Sequence, residues 1–232
     1  MTDFYQNGSI TTLHNLGERS TADLEQDLMQ FSERRPLGLI LPSLYSEIDT
    51  PALPAIIKEL KSVPYLSQIV IGLDRATEEE YRHSLSFFAD LPQHHRVLWN
   101  DGPRLKALDA RLQSAGLAPK ELGKGRNVWY CMGYALATGR AEAIALHDCD
   151  ILTYERSLLA RLIYPVAHPI FGYEFCKGYY PRVSDNKING RVCRLLVTPM
   201  IRALKRIVGE SPYLNYLDSY RYILAGEFAF RK

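Results

Sequence analysis

Apolar and polar positions follow two different periods along this chain. From Ser20 to about Arg35, Leu24, Leu28 and Phe31 recur on one face behind a Ser20-Thr21 N-cap signal, which predicts a helix. Leu37-Gly-Leu-Ile-Leu41 is instead a continuous apolar run, as expected of a strand covered on both faces, and it ends at Pro42-Ser43-Leu44. The alternation then repeats. A helix is predicted after Asp49 or Thr50, with Pro51 at its first position, then a strand over Ile69–Leu73 closed by Asp74, and a helix behind Thr77 with three glutamates in its first turn. Val97–Trp99 reads as a strand, roughly 104–115 as a helix, and Asn127–Thr138 as another, stopped by Gly139. Ala143-Ile-Ala-Leu146 is a fourth buried strand. Strands and helices alternating at this spacing predict an α/β fold with a parallel sheet, whose ligands sit beyond the carboxyl ends of the strands.

Beyond Tyr164-Pro165 the texture changes. Phe171–Cys176 and Tyr179-Tyr180 suggest strands of another region, Ser184 to Asn189 a polar loop, and 190–208 a basic helix interrupted by Pro199. The expected organisation is an N-terminal arm and helix over 1–36, a ligand-binding half over 37–165 and a further region over 166–232.

Charge sharpens that division. The chain of 232 residues has a net charge of only +2, but residues 1–150 hold 15 basic and 20 acidic side chains while 151–232 hold 13 and 6. The carboxyl-terminal third is therefore where an anionic small molecule is expected. Arg191, Arg194, Arg202, Lys205 and Arg206 lie in that third, but no nucleic-acid-binding motif accompanies them, and no nucleic-acid partner is expected. Cysteines 131, 149, 176 and 193 form no CxxC pair and are expected as reduced thiols. No secretory start and no run of about 18 apolar residues is present, so the expectation is a cytoplasmic protein with no membrane segment.

The sharpest chemical signal is Asp148-Cys149-Asp150 after the fourth strand. Two carboxylates one residue apart, where a strand gives way to loop, can both turn toward one hard cation and leave sites for a diphosphate. A haloacid-type phosphatase also uses such a pair, but it follows the first strand and wants Thr or Val where this chain has Leu152. The second signal is Gly123-Lys124-Gly125 ahead of a helix, where glycines admit close backbone approach and the lysine adds a cation. Walker A spacing is absent. One helix and one strand separate Lys124 from Asp148, so both can face one diphosphate. His147 borders the pair, but strand alternation turns it away, and it is expected as a core or supporting histidine rather than a direct ligand.

Taken together, Pro42-Ser-Leu-Tyr-Ser-Glu47, Asp74, Gly123-Lys-Gly-Arg-Asn-Val-Trp129, Ala145-Leu-His-Asp-Cys-Asp-Ile151, Phe175-Cys-Lys-Gly-Tyr-Tyr180, Gly190-Arg-Val-Cys193 and Ala225-Gly-Glu-Phe228 resemble the GT-A glycosyltransferases, and within them the glucosyl-3-phosphoglycerate synthases. The resemblance implies a mostly parallel Rossmann-like sheet and a retaining transfer of glucose from UDP-glucose to 3-phosphoglycerate with Mg²⁺ or Mn²⁺. By it, Pro42, Leu44, Glu47, Asp74, Lys124 and Asp148 bind the donor, and Asp148 and Asp150 hold the metal. Gly190, Arg191 and Cys193 match the acceptor site, with Lys177 and Arg182 as either further anion contacts or ordinary exposed cations. Glu227, Lys124 and Asp150 are the catalytic candidates.

Three departures qualify the likeness. Tyr45-Ser46 stands where the family usually has Asn-Glu, and Cys193 where it usually has threonine. The family also has a metal-ligating histidine beyond the Gly-Glu motif, whereas this chain stops at Lys232, so it is expected either to be truncated or to lack that ligand. The alternatives are a GT-A transferase with another donor, such as GDP-mannose, or another acceptor, and a non-catalytic nucleotide-sugar-binding protein or inactive fragment. Whether the chain forms a homodimer is left open.

Overall fold

The computed structural model describes residues 10–13, 19–180, 183–184, 187–188 and 191–232. They fall into two compact units, one of Arg19–Cys176 with Gly226–Lys232, the other drawing on Met1–Glu18 and Lys177–Ala225. Gly226–Lys232 belong with the larger unit because the last residues of the chain return to its sheet.

In the larger unit, helix α1 (Thr21–Arg34) is capped by Ser20, whose hydroxyl accepts from the Asp23 amide while the Asp23 carboxylate accepts from the Ser20 amide. Strand β1 (Leu37–Leu44) is followed by α2 (Ala52–Leu60), β2 (Leu66–Asp74), α3 (Glu78–Phe88), β3 (His95–Trp99), α4 (Pro103–Ser114), α5 (Lys124–Thr138), β4 (Ala143–Leu146) and α6 (Arg156–Ala167). Strand β5 (Phe175–Lys177) and, at the end of the chain, β8 (Phe228–Arg231) complete a six-stranded sheet in the order β3-β2-β1-β4-β8-β5.

Pairing is parallel from β3 through β4, and β8 joins β4 antiparallel, with Leu146 opposite Phe228. The runs predicted as strands covered on both faces are so: Leu39, Ile40, Leu41, Ile69, Ile71, Ile144 and Leu146 are almost wholly buried. Gly139 ends α5 with φ 62°, a left-handed conformation that glycine adopts without steric cost.

Two helices start away from their expected positions, α5 earlier and α2 one residue later. Helix α5 begins at Lys124 rather than Asn127, so Gly123 stands in the N-cap place and Lys124-Gly125 open its first turn. Helix α2 begins at Ala52, with Pro51 in the N-cap place and no side chain capping it.

The smaller unit contains the short pair β6 (Val183–Ser184) and β7 (Lys187–Ile188), then a π-helical segment over Cys193–Val197 that runs on into α7 (Thr198–Val208), and α8 (Pro212–Asp218). The interruption expected at Pro199 takes the form of a change of helix type: the turn before it, Cys193–Val197, is π-helical, and α geometry resumes at Thr198.

Candidate functional site

Topology places the site before any side chain is considered. Strand β1 has β2 and then β3 on one side and β4 on the other, so the connections diverge at β1/β4, the crevice where open α/β sheets bind ligands. The last β1–β4 pair is Ile40 with Leu146, whereas β1 continues to Leu44 beside β2, pairing Pro42 with Gly72 and Leu44 with Asp74. Pro42 lacks a backbone N–H where the next rung to β4 would form: the Ile40 carbonyl accepts from the His147 amide at 3.1 Å, and the β1–β4 ladder ends there as the chain passes into Asp148-Cys149-Asp150.

The predicted donor residues gather here. Pro42 is buried, Leu44 is half-buried, and Asp74 at the end of β2 is 8% exposed. Glu47 folds back within its own turn, its carboxylate accepting from the Leu44 amide at 2.9 Å. Burial raises the Glu47 pKa above its usual value, and Asp150 and Asp148 add to the rise while the bond from Leu44 opposes it. Three carboxylates thus share one electrostatic neighbourhood.

Within the Asp-x-Asp segment the chain alternates. His147 and Cys149 are buried, Asp148 is half-buried and Asp150 is exposed. His147 is fully enclosed, its ring edge-on to Tyr154 with centroids 5.4 Å apart, and burial lowers its pKa to about 3, so it is a neutral core histidine. The Cys149 thiol is pushed upward by burial and then by Glu47. All four cysteines are free.

Facing these carboxylates is the first turn of α5. Gly123 precedes it with φ 135°, a conformation L side chains rarely adopt. No side chain caps this end, so its first amides remain available to an anion. The Lys124 ammonium ion-pairs with the Asp148 carboxylate, which brings the two strongest sequence signals into contact.

Glu227 comes from the far end of the chain, just ahead of β8. It is 2% exposed, and its Oε2 has no hydrogen-bond partner among the described residues. Its neighbour Gly226 lies against the Asp148 carboxylate.

A divalent cation fits this donor set only with help. Among the described residues no group of three or more His, Cys, Asp or Glu is poised to hold a metal alone. Two carboxylates completed by substrate phosphate and water are a common way of holding Mg²⁺. Asp148 and Asp150 are the two carboxylates of this segment that would fit such a role.

The residues expected on the acceptor side belong to the smaller unit. Gly190 and Arg182 lie outside the described residues. Arg191 is exposed at the head of the helical run and Cys193 is half-buried. The Lys177 ammonium donates to the Ala225 carbonyl at 2.5 Å, so it already holds the backbone just before the Gly-Glu motif.

Two features escaped the sequence reading. A pocket of about 220 Å³ lies where β3 ends, lined by Asn100, Asp101, Lys106, Asp109, Arg126 and Tyr130 among others. Asn127 is 3% exposed and bonds into β2. In sequence both appear as polar residues at loop or helix positions, with nothing to separate them from solvated ones.

The mostly parallel sheet, with an Asp-x-Asp at its switch point and a lysine on the facing helix end, has the GT-A fold. Comparison with known proteins narrows the likeness. No family model matches the chain. It is 53% identical to the glucosyl-3-phosphoglycerate synthase of Persephonella marina over 99% of its length and 57% of that protein. With the glucosyl-3-phosphoglycerate synthase of Methanococcoides burtonii the identity is 40%, over 98% of this chain and 56% of that one. The chain thus spans a little over half the length of these curated relatives.

Among solved structures, glucosyl-3-phosphoglycerate synthase from Mycobacterium tuberculosis in complex with Mn²⁺, UDP and glucosyl-3-phosphoglycerate matches with a TM-score of 0.59 at 16% identity, covering 98% of this chain and 64% of that one. The same enzyme with Mn²⁺ and UDP-glucose matches at 0.58 and 18%, over 89% and 60%. At these identities the structural likeness bears on the fold alone.

Proposed function

We propose that this chain carries the donor site and part of the acceptor site of a metal-dependent, retaining glucosyltransferase that moves glucose from UDP-glucose to 3-phosphoglycerate. The observation that carries the reading is the Lys124–Asp148 ion pair at the β1/β4 switch point, beside Asp150. The curated relatives, both named glucosyl-3-phosphoglycerate synthase, support it.

In this reading Pro42, Leu44, Glu47 and Asp74 line the uridine end of the donor, and Asp148 meets its ribose and diphosphate. Asp148 and Asp150 hold Mg²⁺ or Mn²⁺, which when bound supplies positive charge to the departing diphosphate. Lys124 and the open amides of the α5 N-terminus add fixed charge and dipoles to the same oxygens, where negative charge grows as the sugar–phosphate bond breaks.

Retention follows if the acceptor hydroxyl attacks the anomeric carbon from the side the diphosphate leaves, giving its proton to the departing phosphate oxygen. Glu227, enclosed and with one oxygen unpartnered, orients that hydroxyl or offsets positive charge on the sugar rather than attacking it. Gly190, Arg191 and Cys193, with Lys177 and Arg182, form the acceptor side. Arg191 offers its phosphate or carboxylate a bidentate fork.

We place the protein in the cytoplasm, in keeping with four free cysteines, and among the described residues no helix is long and apolar enough to cross a membrane. Self-association into a homodimer is part of the same proposal. The exposed apolar side chains of α7, Met200, Leu204, Ile207 and Val208, are the surface that supports it.

The deciding experiment is calorimetry of Asp150→Ala with UDP and Mn²⁺. Binding is expected to be abolished, and unchanged binding would sink the assignment.

A further inference from the structure

Helix α5 carries Lys124 at its first position, and the place where that ammonium can act depends on how the helix end is fastened to the sheet. Arg126 and Tyr130 tie it to Asp109 of α4, and the Asn127 side chain fastens it to β2. The Asn127 amide donates from Nδ2 to the Gly72 carbonyl at 2.8 Å, and its Oδ1 accepts from the Cys131 thiol at 3.4 Å. The Asn127 backbone N–H meanwhile makes an early bond of the helix, to the Gly123 carbonyl at 3.1 Å. One residue thus joins the helix start, its own next turn and the middle of β2.

The joint is built into β2 as well. Gly72 pairs with Pro42 on one side and Leu98 on the other, two residues before Asp74. A Cβ at position 72 would lie 2.8 Å from Asn127 Cγ and 2.5 Å from Cys131 Sγ, closer than real Cβ contacts come. Glycine here is the condition for α5 to reach the strand, and Asn127 fills the space it leaves. A carbonyl inside a sheet already has its ladder partners, so a side-chain amide directed at it fixes the position of the helix rather than rescuing an unpaired group.

We infer that Asn127 is a positioning residue for Lys124: it fixes the first turn of α5 against β2, so that the ammonium one turn earlier stands at the diphosphate position beside Asp148. The inference rests on the donor reading above and adds to it a residue that touches no ligand. Its function is electrostatic preorganisation, since a lysine on a loosely held helix end must be ordered at the moment of binding.

The test separates this from general packing. Uridine lacks the diphosphate that Lys124 serves, so Asn127→Ala should weaken UDP binding about tenfold, the scale of one charged hydrogen bond, while leaving uridine binding within about twofold. Asn127→Asp, which keeps the shape but sets a carboxylate against the Gly72 carbonyl, should behave the same way and serves if the alanine variant does not fold. Affinities are read by calorimetry with Mn²⁺, alongside melting curves. In a Lys124→Ala background, Asn127→Ala should cause no further loss of UDP affinity. Parallel loss of UDP and uridine, or losses that add with Lys124→Ala, would overturn the positioning function alone. If Lys124→Ala itself leaves UDP binding intact, the donor reading falls and this inference with it.

Discussion

Gly226 lies so close to Asp148 that a Cβ added to it would stand 2.9 Å from the carboxylate carbon. The residue before Glu227 is therefore shaped around the first carboxylate of the Asp-x-Asp pair. A methyl group at 226 has to displace that carboxylate from Lys124 or push the β8 approach outward, and insertions of this kind typically cost 1–3 kcal/mol. Gly226→Ala is expected to lower UDP affinity in the presence of Mn²⁺ by about tenfold or more, with a melting temperature only a few degrees lower. Calorimetry and a thermal melt check it. Unaltered affinity would mean that Asp148 moves aside without cost.

How far the site was legible depended on whether a residue announced its chemistry by its neighbours along the chain. Asp148, Asp150 and Lys124 did, because strand-to-loop and loop-to-helix transitions mark where a parallel sheet exposes its edge. Strand β8 did not: Phe228–Arg231 is four residues long, and it pairs antiparallel with a strand more than 80 residues earlier. Helix α6 was hidden by Pro165, which breaks the helical pattern but lies in its last turn, leaving most of the helix intact. Asn127 looks like a solvated helix residue until the depth of Gly72 is known, and that depth is a tertiary fact. Lys177 reads from sequence as either an anion contact or an exposed cation, and its bond to the Ala225 carbonyl is visible only in the fold.

His147 makes stability depend on pH in a defined direction. Its folded-state pKa is lowered to about 3 from a usual value of 6.5, because complete burial disfavours the imidazolium. Above pH 6.5 both folded and unfolded chains hold it neutral, and its contribution is constant. As pH falls below 6.5 the unfolded chain takes up a proton that the folded chain refuses, so stability declines by up to about 1.4 kcal/mol per pH unit until the folded pKa is reached. His147→Phe should flatten this part of the profile. Urea denaturation of both proteins between pH 7 and pH 5 measures it, and identical slopes would show that His147 is not the group responsible.

Glu59 holds the far end of the Asp-x-Asp segment. Its carboxylate, on α2, accepts from the Arg156 amide at 3.2 Å and so caps α6 from another element. Glu25 adds a guanidinium contact at 3.7 Å. Glu59→Ala should cost about 1 kcal/mol, the ordinary value of a lost N-cap, seen as a lower urea midpoint with unchanged slope. A changed slope would indicate instead that the loop opens before the rest of the unit.

Arg191 offers the cleanest separation of the two halves of the proposed reaction. It is exposed at the head of the helical run through Val208, in the third of the chain that carries 13 basic and 6 acidic residues. A guanidinium gripping a phosphate or carboxylate contributes only once the acceptor is present, so its removal should leave the donor equilibrium alone. Arg191→Ala is expected to raise the KM for 3-phosphoglycerate or cut turnover by about tenfold or more, with UDP affinity within about twofold of the parent. Arg191→Lys should recover only part of the loss, because an ammonium cannot reproduce the planar fork. Steady-state kinetics against the acceptor, paired with UDP calorimetry, test both statements. Full recovery by lysine would reduce Arg191 to a point charge, and a loss of UDP affinity would move it from the acceptor side to the donor side.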